Sequence, residues 1–369
     1  MHSAALLSDV LRGLIDRTGV DPGEIGQVIG GCVGQVGEQS FNVTRTAWLL
    51  AGLPINVAAT TVDAQCGSSQ QATTMAVGLI KAGVIDSAVS CGVEVMSRIP
   101  MGAAMSDRNF GRPVPKSYFE RYEFTSQFEG AERIADKWGI SRRDADEFGL
   151  RSQQLGARAW AEDRFSTQIL PIDAPNVDDE GKPDGTTHSV ERDGGLRDTT
   201  LEALAGLKAV AREDGVHTAG SSSQISDGAG AVMLMAADKA AELGLTPKAK
   251  VVDTCLVGTD PVLMLTGPID ATQHLFERTG LTMSDIDVVE INEAFASVVL
   301  AWAKEFQPDM DTVNPNGGAI ALGHPLGGTG SILVTKAVHE LERADKEHAL
   351  VTMCCGGGLG TGTILQRIS

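Results

Sequence analysis

The sequence predicts an α/β fold made of two related halves, each with a mostly parallel sheet covered by helices, and a further region inserted into the first half. One observation is an internal repeat, because residues 14–29 align with residues 275–290 without a gap and share six of sixteen positions. A second is the alternation of strand-like and helix-like stretches in both halves. A third is the more charged composition of residues 97 to 220.

Both copies of the repeat have the same pattern. An amphipathic helix ends at a glycine, Gly19 or Gly280, and an acidic turn and a buried strand follow. Farther along the first half, Cys66 precedes a helix predicted from about residue 68 to 82 and an apolar strand over Ser87–Ser90. This alternation is typical of a parallel sheet covered by helices.

The region from residue 97 to about 220 is richer in charged and turn-forming residues. It contains a helical pattern from about residue 130 to 160, in which Ser141 is a candidate N-cap and Asp144 supplies an acidic first turn. We expect this region to form a lid or loop domain inserted into the first half.

The second half repeats the order of the first. A strand over Gly230–Met235 and a helix over Ala237–Leu243 close the first half, and a strand over Lys248–Val257 opens the second. His324 then precedes a helix predicted over Thr329–Leu341. The predicted domains are residues 1–96 with 221–246 (the N-terminal half), 97–220 (the inserted loop domain) and 247–369 (the C-terminal half).

Composition excludes several classes of function. The 369 residues exceed the about 250–300 at which single cores stop growing, and 30 basic against 48 acidic residues give a net charge of −18. Such a chain repels phosphate backbones and anionic lipids, which argues against nucleic-acid binding and membrane docking. The longest uncharged apolar run, Ala294–Ala303, is about half of the ~20 residues that a membrane span needs. The absence of a signal pattern and the few cysteines, in apolar surroundings, predict a cytoplasmic protein.

Cys66 lies where a predicted strand ends and a helix begins. Free N–H groups and the positive dipole end of a helix start favour a thiolate, so we expect a lowered pKa and a nucleophilic sulfur. The alternative is a small buried hydrophobic side chain, the usual state of a free cysteine. Position alone does not separate the two.

His324 is the one of seven histidines that stands in a glycine-rich apolar segment, Asn316–Gly330. Pro325 favours an extended backbone at His324, and this fixes the direction of the imidazole. A rigidly held imidazole suits a general base, whereas the alternative is a hydrogen-bonded core histidine at a turn.

Two other segments follow predicted buried strands. Asn292 and Glu293, if buried, need hydrogen bonds, either as helix caps or to orient water and substrate. Cys354 follows the strand predicted over Ala349–Met353 and precedes Cys355 and three glycines. Backbone N–H groups there can form an oxyanion hole beside a thiol that transfers a proton. A metal site is not expected, because adjacent cysteines are poorly spaced zinc ligands.

In this order, Cys66, the segment Asn292–Ala296 (Asn-Glu-Ala-Phe-Ala), Gly323-His324-Pro325 and Cys354 resemble the thiolase family, that is, acetyl-CoA acetyltransferases and 3-ketoacyl-CoA thiolases. The resemblance covers essentially the whole chain. It implies the thiolase fold, with two duplicated βαβαβ halves and an inserted loop domain, assembled as a homodimer or homotetramer. It also implies acyl-CoA and coenzyme A as substrates and no permanently bound cofactor.

The resemblance assigns a role to each motif. Cys66 is the acylated nucleophile, His324 is the base that activates it, and Cys354 is the acid/base at the acetyl carbon. Asn292 holds a water that completes one oxyanion hole with His324, and the N–H groups of Cys66 and Gly356 form the other. These roles predict reversible cleavage of 3-oxoacyl-CoA by coenzyme A through an acyl-Cys66 intermediate.

Ser223 resembles the serine that contacts the pantetheine of coenzyme A, and Phe295 is expected to contact the substrate. The chain departs from the family at three places. It starts near the first helix, whereas relatives begin with a first strand, so either the start is misassigned or the first sheet has lost an edge strand. Gln224 follows Ser223 where glycine is frequent, and Gln127-Phe128 replaces an expected Met-Gly pair, which changes the acyl pocket.

Other functions fit parts of this pattern. A biosynthetic acetoacetyl-CoA thiolase has the same active-site residues, and a catalytically silent acyl-CoA-binding subunit would keep the fold. A ketoacyl synthase also uses a cysteine at a strand–helix turn, but it needs a histidine or asparagine where Cys354 stands. The sequence does not specify whether the acyl chain is short, long, branched or derived from a steroid.

Overall fold

A computed structural model describes residues 1–106, 111–178 and 182–368. The helices in this part of the chain are α1 (Ser3–Thr18), α2 (Val43–Leu50), α3 (Ser68–Lys81), α4 (Ala103–Ser106), α5 (Gln127–Trp138), α6 (Arg142–Ala161), α7 (Leu201–Ala205), α8 (Ala237–Glu242), α9 (Gly267–Thr279), α10 (Ala296–Phe306), α11 (Ala319–Leu322) and α12 (Thr329–Arg343). The strands are β1 (Gln27–Gly31), β2 (Ala58–Val62), β3 (Ser87–Val95), β4 (Ile172–Val177), β5 (Pro183–Val190), β6 (Asp227–Met235), β7 (Ala249–Gly258), β8 (Val288–Ile291), β9 (His348–Cys355) and β10 (Leu359–Arg367).

The first sheet has the strand order β2-β1-β3-β6. Strand β1 is parallel to β2 and to β3, while β6 runs antiparallel to β3. Strand β3 continues to Val95 instead of ending near Ser90, because ladder pairs with β6 extend over its whole length. This longer strand carries Glu94 into the protein interior.

The second sheet has the order β7-β10-β9-β8, and only β8 and β9 are parallel. A three-residue turn joins β9 to β10, and so short a connection permits only antiparallel pairing. The α/β class is confirmed, while this sheet has more antiparallel pairs than the sequence predicts. In the second sheet, β7 forms the edge beside β10. In the first sheet, β6 is itself the edge, and no further strand of the described residues pairs with it.

The predicted repeat is present in the structure. Helix α1 ends at Gly19 (φ 65°) before β1, and helix α9 ends at Gly280 (φ 74°) before β8. The left-handed backbone at both glycines explains why this residue recurs at the end of each helix.

The two sheets and their helices form five layers. Helices α3 and α12 lie against each other between the sheets, and both contact strands of each sheet. Helices α1 and α2 cover the outer face of the first sheet, and α9 and α10 cover that of the second. The helix that follows Cys66, α3, and the helix that follows His324, α12, therefore form the central layer.

The inserted region contributes α5 and α6, which pack against α10 and α11 of the second half. The N-cap of α6 is confirmed, since Ser141 Oγ accepts from the Asp144 N–H (3.2 Å) and the Ser141 N–H donates to the Asp144 carboxylate (2.8 Å). Residues 107–110 and 179–181 of this region lie outside the described residues. The predicted domain boundaries stay a prediction.

Candidate active site

Cys66 lies in a tight turn between β2 and α3. Ser68 closes this turn, because its hydroxyl donates to the Gln65 carbonyl (2.5 Å) and accepts from the Ala64 N–H (2.9 Å). A Cβ atom at Gly67 would lie 2.5 Å from Cys355 Sγ, so only glycine fits there. The sulfur of Cys355 thus packs directly behind the turn that carries Cys66.

The prediction of a lowered pKa for Cys66 is wrong. Burial raises the pKa of the Cys66 thiol to about 11, and hydrogen bonds from the backbone N–H groups of Gly356 and of Cys66 itself lower the pKa only in part. The sequence identified the helix start but not the protein atoms that surround the sulfur, whose effect on the pKa is larger than that of the two N–H groups. The resting residue is therefore a thiol that needs a base.

The segments that carry Cys66 and His324 meet at the first turns of α3 and α12. The Ser331 N–H donates to Ser69 Oγ over 3.0 Å. A Cβ atom at Gly330 would lie 2.2 Å from the backbone nitrogen of Gln70, so the two helices approach at their backbones. This contact brings the two halves of the chain together at the candidate site.

His324 is buried and held in one tautomer. Its Nδ1 lies 2.6 Å from Thr329 Oγ1, whose hydroxyl donates to the Pro325 carbonyl (3.0 Å). Because that hydroxyl has a single hydrogen, Nδ1 must donate and Nε2 must carry the free lone pair. Burial also lowers the pKa of His324 to about 4, so the ring is neutral at neutral pH. This is the form that a general base requires.

Asn292 lies against the free nitrogen of this ring. Its Nδ2 is 3.3 Å from His324 Nε2, and within the described residues its buried Oδ1 has no hydrogen-bond partner. A buried amide oxygen without a partner marks a place for water or ligand. Asn292 is not a helix cap, because helix α10 begins after Phe295 without a side-chain cap.

Glu293 anchors the loop that leads to His324. Its carboxylate accepts from Ser152 Oγ (2.5 Å), Asn314 Nδ2 (2.8 Å) and the Ile320 N–H (3.2 Å). The alternative that Glu293 caps α10 is therefore wrong, and the residue instead ties the inserted region to the second half.

Cys354 and Cys355 point to opposite faces of β9, as neighbours on a strand do. Cys354 is buried in a cluster with Phe295 and Met264, while Cys355 packs with Val288 in another cluster. Burial raises the pKa of the Cys354 thiol, and the charge of Cys66 raises it further. The sulfurs of residues 66 and 354 therefore lie within range of electrostatic interaction.

Three further residues were assigned to the site, and two of them lie near these sulfurs: Gly356 beside Cys66, and Phe295 in one cluster with Cys354. The Gly356 N–H lowers the pKa of the Cys66 thiol, as an oxyanion-hole donor would. The Ser223 N–H donates to the Ala294 carbonyl (2.9 Å), and its side chain is half-buried. The ring of Phe295 lies edge-on to that of Phe128 at 5.5 Å. Phe128, one of the two residues that replace the expected Met-Gly pair, thus packs against Phe295.

Sequence reasoning missed Glu94. This buried carboxylate accepts from the N–H groups of Val33, Gly34 and Gly327 (each 2.9 Å) and from Gln39 Nε2 (2.6 Å). It therefore links the first half to the loop that follows His324. The sequence did contain a signal for this role, because Glu94 is the one charged residue in the otherwise uncharged strand β3.

The described residues contain no group of three or more potential metal ligands. None of the described helices is both long and apolar enough to cross a membrane.

Comparisons with known proteins identify the family. Residues 1–238 match the thiolase N-terminal domain, and residues 245–367 match the thiolase C-terminal domain. A steroid 3-ketoacyl-CoA thiolase of Mycobacterium tuberculosis is 44% identical, and the alignment covers 100% of this chain and 89% of the relative. A 3-oxoadipyl-CoA/3-oxo-5,6-dehydrosuberyl-CoA thiolase of Escherichia coli is 43% identical over 96% of this chain and 91% of its own.

Among solved structures, the acetyl-CoA acetyltransferase of Bacillus anthracis superposes with a TM-score of 0.90 at 35% identity, covering 100% of this chain and 93% of that one. These matches, together with the four motifs and the layered fold, show that the chain belongs to the thiolase family of acyltransferases.

Proposed function

We propose that this thiolase cleaves 3-oxoacyl-CoA through a covalent acyl-Cys66 intermediate. The single observation that supports the assignment is the arrangement around Cys66, where the Gly356 N–H lowers the pKa of the thiol and the Cys354 thiol lies within range of electrostatic interaction. A nucleophile, an oxyanion donor and a second acid in one buried space are the groups that carbon–carbon cleavage of a 3-oxo thioester needs.

In the first half-reaction, His324 Nε2 removes the Cys66 proton as the sulfur attacks the C3 carbonyl. The C2–C3 bond then breaks, and its electron pair forms the enolate of acetyl-CoA. Cys354 donates its proton to C2, which leaves an acyl thioester on Cys66, a Cys354 thiolate and a protonated His324. A water held by Asn292 binds one of the two oxygens that become negative, together with His324, and the N–H groups of Cys66 and Gly356 bind the other.

In the second half-reaction, the thiol of coenzyme A attacks the acyl carbonyl. Its proton passes to the Cys354 thiolate, and His324 returns a proton to the departing Cys66 sulfur. Because a thioester is exchanged for a thioester, the two directions are close in free energy. The same residues therefore serve degradative cleavage and the biosynthetic formation of acetoacetyl-CoA.

Purified protein mixed with acetoacetyl-CoA and coenzyme A tests this proposal. We expect loss of the absorbance of the 3-oxo thioester, and no loss with the Cys66→Ser variant, which forms a more stable ester and cannot pass it on. An acyl group recovered on Cys66 by mass spectrometry would establish the intermediate. A folded wild-type protein without turnover would favour the silent acyl-CoA-binding subunit.

The relatives do not agree on the acyl chain of the substrate. Their names specify a steroid-derived acyl-CoA in one case and 3-oxoadipyl-CoA in another. We propose a degradative role on a chain longer than acetoacetyl-CoA. A homodimer or homotetramer, a cytoplasmic location and the lack of a permanently bound cofactor remain predictions that follow from the family and the composition.

A further inference from the structure

One serine beside the candidate site has a hydroxyl that the mechanism does not use. We propose that Ser222 is a specificity-determining residue, whose hydroxyl binds a neutral oxygen, a ketone or a hydroxyl, on the acyl group of the substrate. The proposal rests on the thiolase reaction proposed above and concerns the part of the acyl chain beyond the reacting carbons.

The backbone places Ser222 next to Phe295. The Ser223 N–H donates to the Ala294 carbonyl, and the Ala296 N–H donates to the Ser221 carbonyl, each over 2.9 Å. These two bonds flank the antiparallel pair of Ser222 and Phe295. In a pair flanked in this way the two side chains lie on the same face, with Cβ atoms about 4.5–5.5 Å apart. The Ser222 hydroxyl therefore lies beside the Phe295 ring.

The Phe295 ring lies in one buried cluster with a residue of the candidate site. Phe295 packs in one cluster with Cys354, Met264 and Leu265, and Phe128 packs against that cluster. Cys354 is the thiol that delivers the proton to C2. A group beside the Phe295 ring is therefore close to the substrate rather than on a distant surface.

The Ser222 hydroxyl is buried without a partner. Ser222 is 8% exposed, and its Oγ has no hydrogen bond within the described residues. The neighbouring Ser221 differs, because its Oγ accepts from the Thr218 N–H (3.0 Å). A buried unpaired hydroxyl costs free energy, and a ligand oxygen that bonds to it recovers that cost. Ser222 thus has the unsatisfied polar atom expected of an apolar pocket that recognises one oxygen.

The buried carboxylate of Glu132, on the far side of His217 from Phe295, favours a neutral oxygen over a carboxylate on the acyl chain. The ring of His217 lies edge-on to Phe295 at 5.4 Å, and His217 Nδ1 bonds to the buried carboxylate of Glu132 (3.1 Å). Two arginines of this region are already paired with other carboxylates, Arg133 with Glu123 and Arg212 with Asp136. A carboxylate on the acyl chain would be buried near a negative charge, which is unfavourable, whereas a ketone or a hydroxyl would not.

Three substrates with eight-carbon acyl chains test the proposal. They are 3-oxooctanoyl-CoA, 3,7-dioxooctanoyl-CoA and 3-oxooctanedioic acid joined to CoA as a thioester at C1. We expect wild-type kcat/KM to be highest for the dioxo substrate. Ser222→Ala should lower kcat/KM for the dioxo substrate by about tenfold and change the value for 3-oxooctanoyl-CoA by less than about threefold. Ser222→Thr, which keeps a hydroxyl, should restore most of the loss.

Equal effects of Ser222→Ala on the dioxo and unsubstituted substrates, whether large or absent, would overturn the proposal. A larger loss with the carboxylate-bearing substrate would overturn the choice of a neutral oxygen. Failure of the thiolase reaction itself would be seen separately, as no turnover of acetoacetyl-CoA by the wild-type protein.

Discussion

The Nδ1 atom of His324 lies 2.6 Å from the Oγ1 atom of Thr329, and the hydroxyl hydrogen of Thr329 is directed to the Pro325 carbonyl. A side chain five residues away therefore determines which ring nitrogen is basic. Without this hydroxyl, the buried ring can place its hydrogen on Nε2, where it cannot accept the proton of Cys66.

Replacing Thr329 tests this relationship. Thr329→Val removes the hydroxyl with little change of shape, and we expect kcat to fall by on the order of tenfold while KM stays within about threefold. Thr329→Ser keeps the hydroxyl and should retain most of the activity. Steady-state kinetics of both variants decide the matter, and full kcat in Thr329→Val would show that the tautomer is fixed by another group.

The buried His324 also predicts a pH-dependent stability. Burial lowers the pKa of His324 from 6.5 to about 4, so between these values the unfolded chain binds a proton that the folded chain does not. The free energy of unfolding should therefore fall as the pH falls through this range. Between pH 7 and pH 5 we expect wild type to lose about 2 kcal/mol more than His324→Asn.

Urea titrations of wild type and His324→Asn at both pH values measure this difference. Identical pH dependence of the two proteins would mean that His324 keeps an ordinary pKa in the folded state.

Alkylation should distinguish Cys66 from the other thiols. Cys66 is partly exposed, whereas Cys32, Cys91, Cys255, Cys354 and Cys355 are buried. Iodoacetamide should therefore label Cys66 first and abolish activity. Because burial raises the pKa of Cys66 to about 11, the labelling rate should rise close to tenfold per pH unit between pH 8 and 10.

Peptide mass spectrometry after short labelling times gives both the site and the rate. A rate that is already at its maximum at pH 8 would indicate a thiolate in the resting protein and contradict the raised pKa. Labelling of Cys32 or Cys255 before Cys66 would contradict the accessibility argument.

The two adjacent cysteines of β9 should behave differently. Cys354→Ala removes the proton donor at C2 but leaves Cys66, His324 and the Gly356 N–H in place. Acyl exchange moves a proton only between sulfur atoms, and this needs less assistance than removal of a proton from C2. We therefore expect this variant to keep measurable exchange of an acyl group with labelled coenzyme A and to lose the formation of acetoacetyl-CoA by at least about 100-fold. Cys355→Ser, on the opposite face of the strand, should retain both activities. Equal loss of exchange and condensation in Cys354→Ala would contradict the separate role of this thiol.

Much of the fold could be predicted because its signals are local. The helix after Cys66 was predicted to end within one residue of its observed end, and the repeat correctly paired the helix stops at Gly19 and Gly280. The antiparallel pairs of the second sheet were missed, since strand direction depends on connections that periodicity does not report.

The site shows the same limit. Sequence order singled out Cys66 and His324, and both residues lead into central helices that touch. The pKa of Cys66 was predicted with the wrong sign, because burial is a property of the assembled layers. The bonds of Glu94 to Gly327 and of Thr329 to His324 join groups whose contact depends on chain folding, and no single stretch of sequence reveals them.

The meeting of α3 and α12 also matters during synthesis. The ribosome synthesises the first half before the second. The nascent chain therefore contains Cys66 before His324, the base that accepts its proton, has been translated. Acyl transfer assisted by His324 therefore requires that both halves have been translated and have docked.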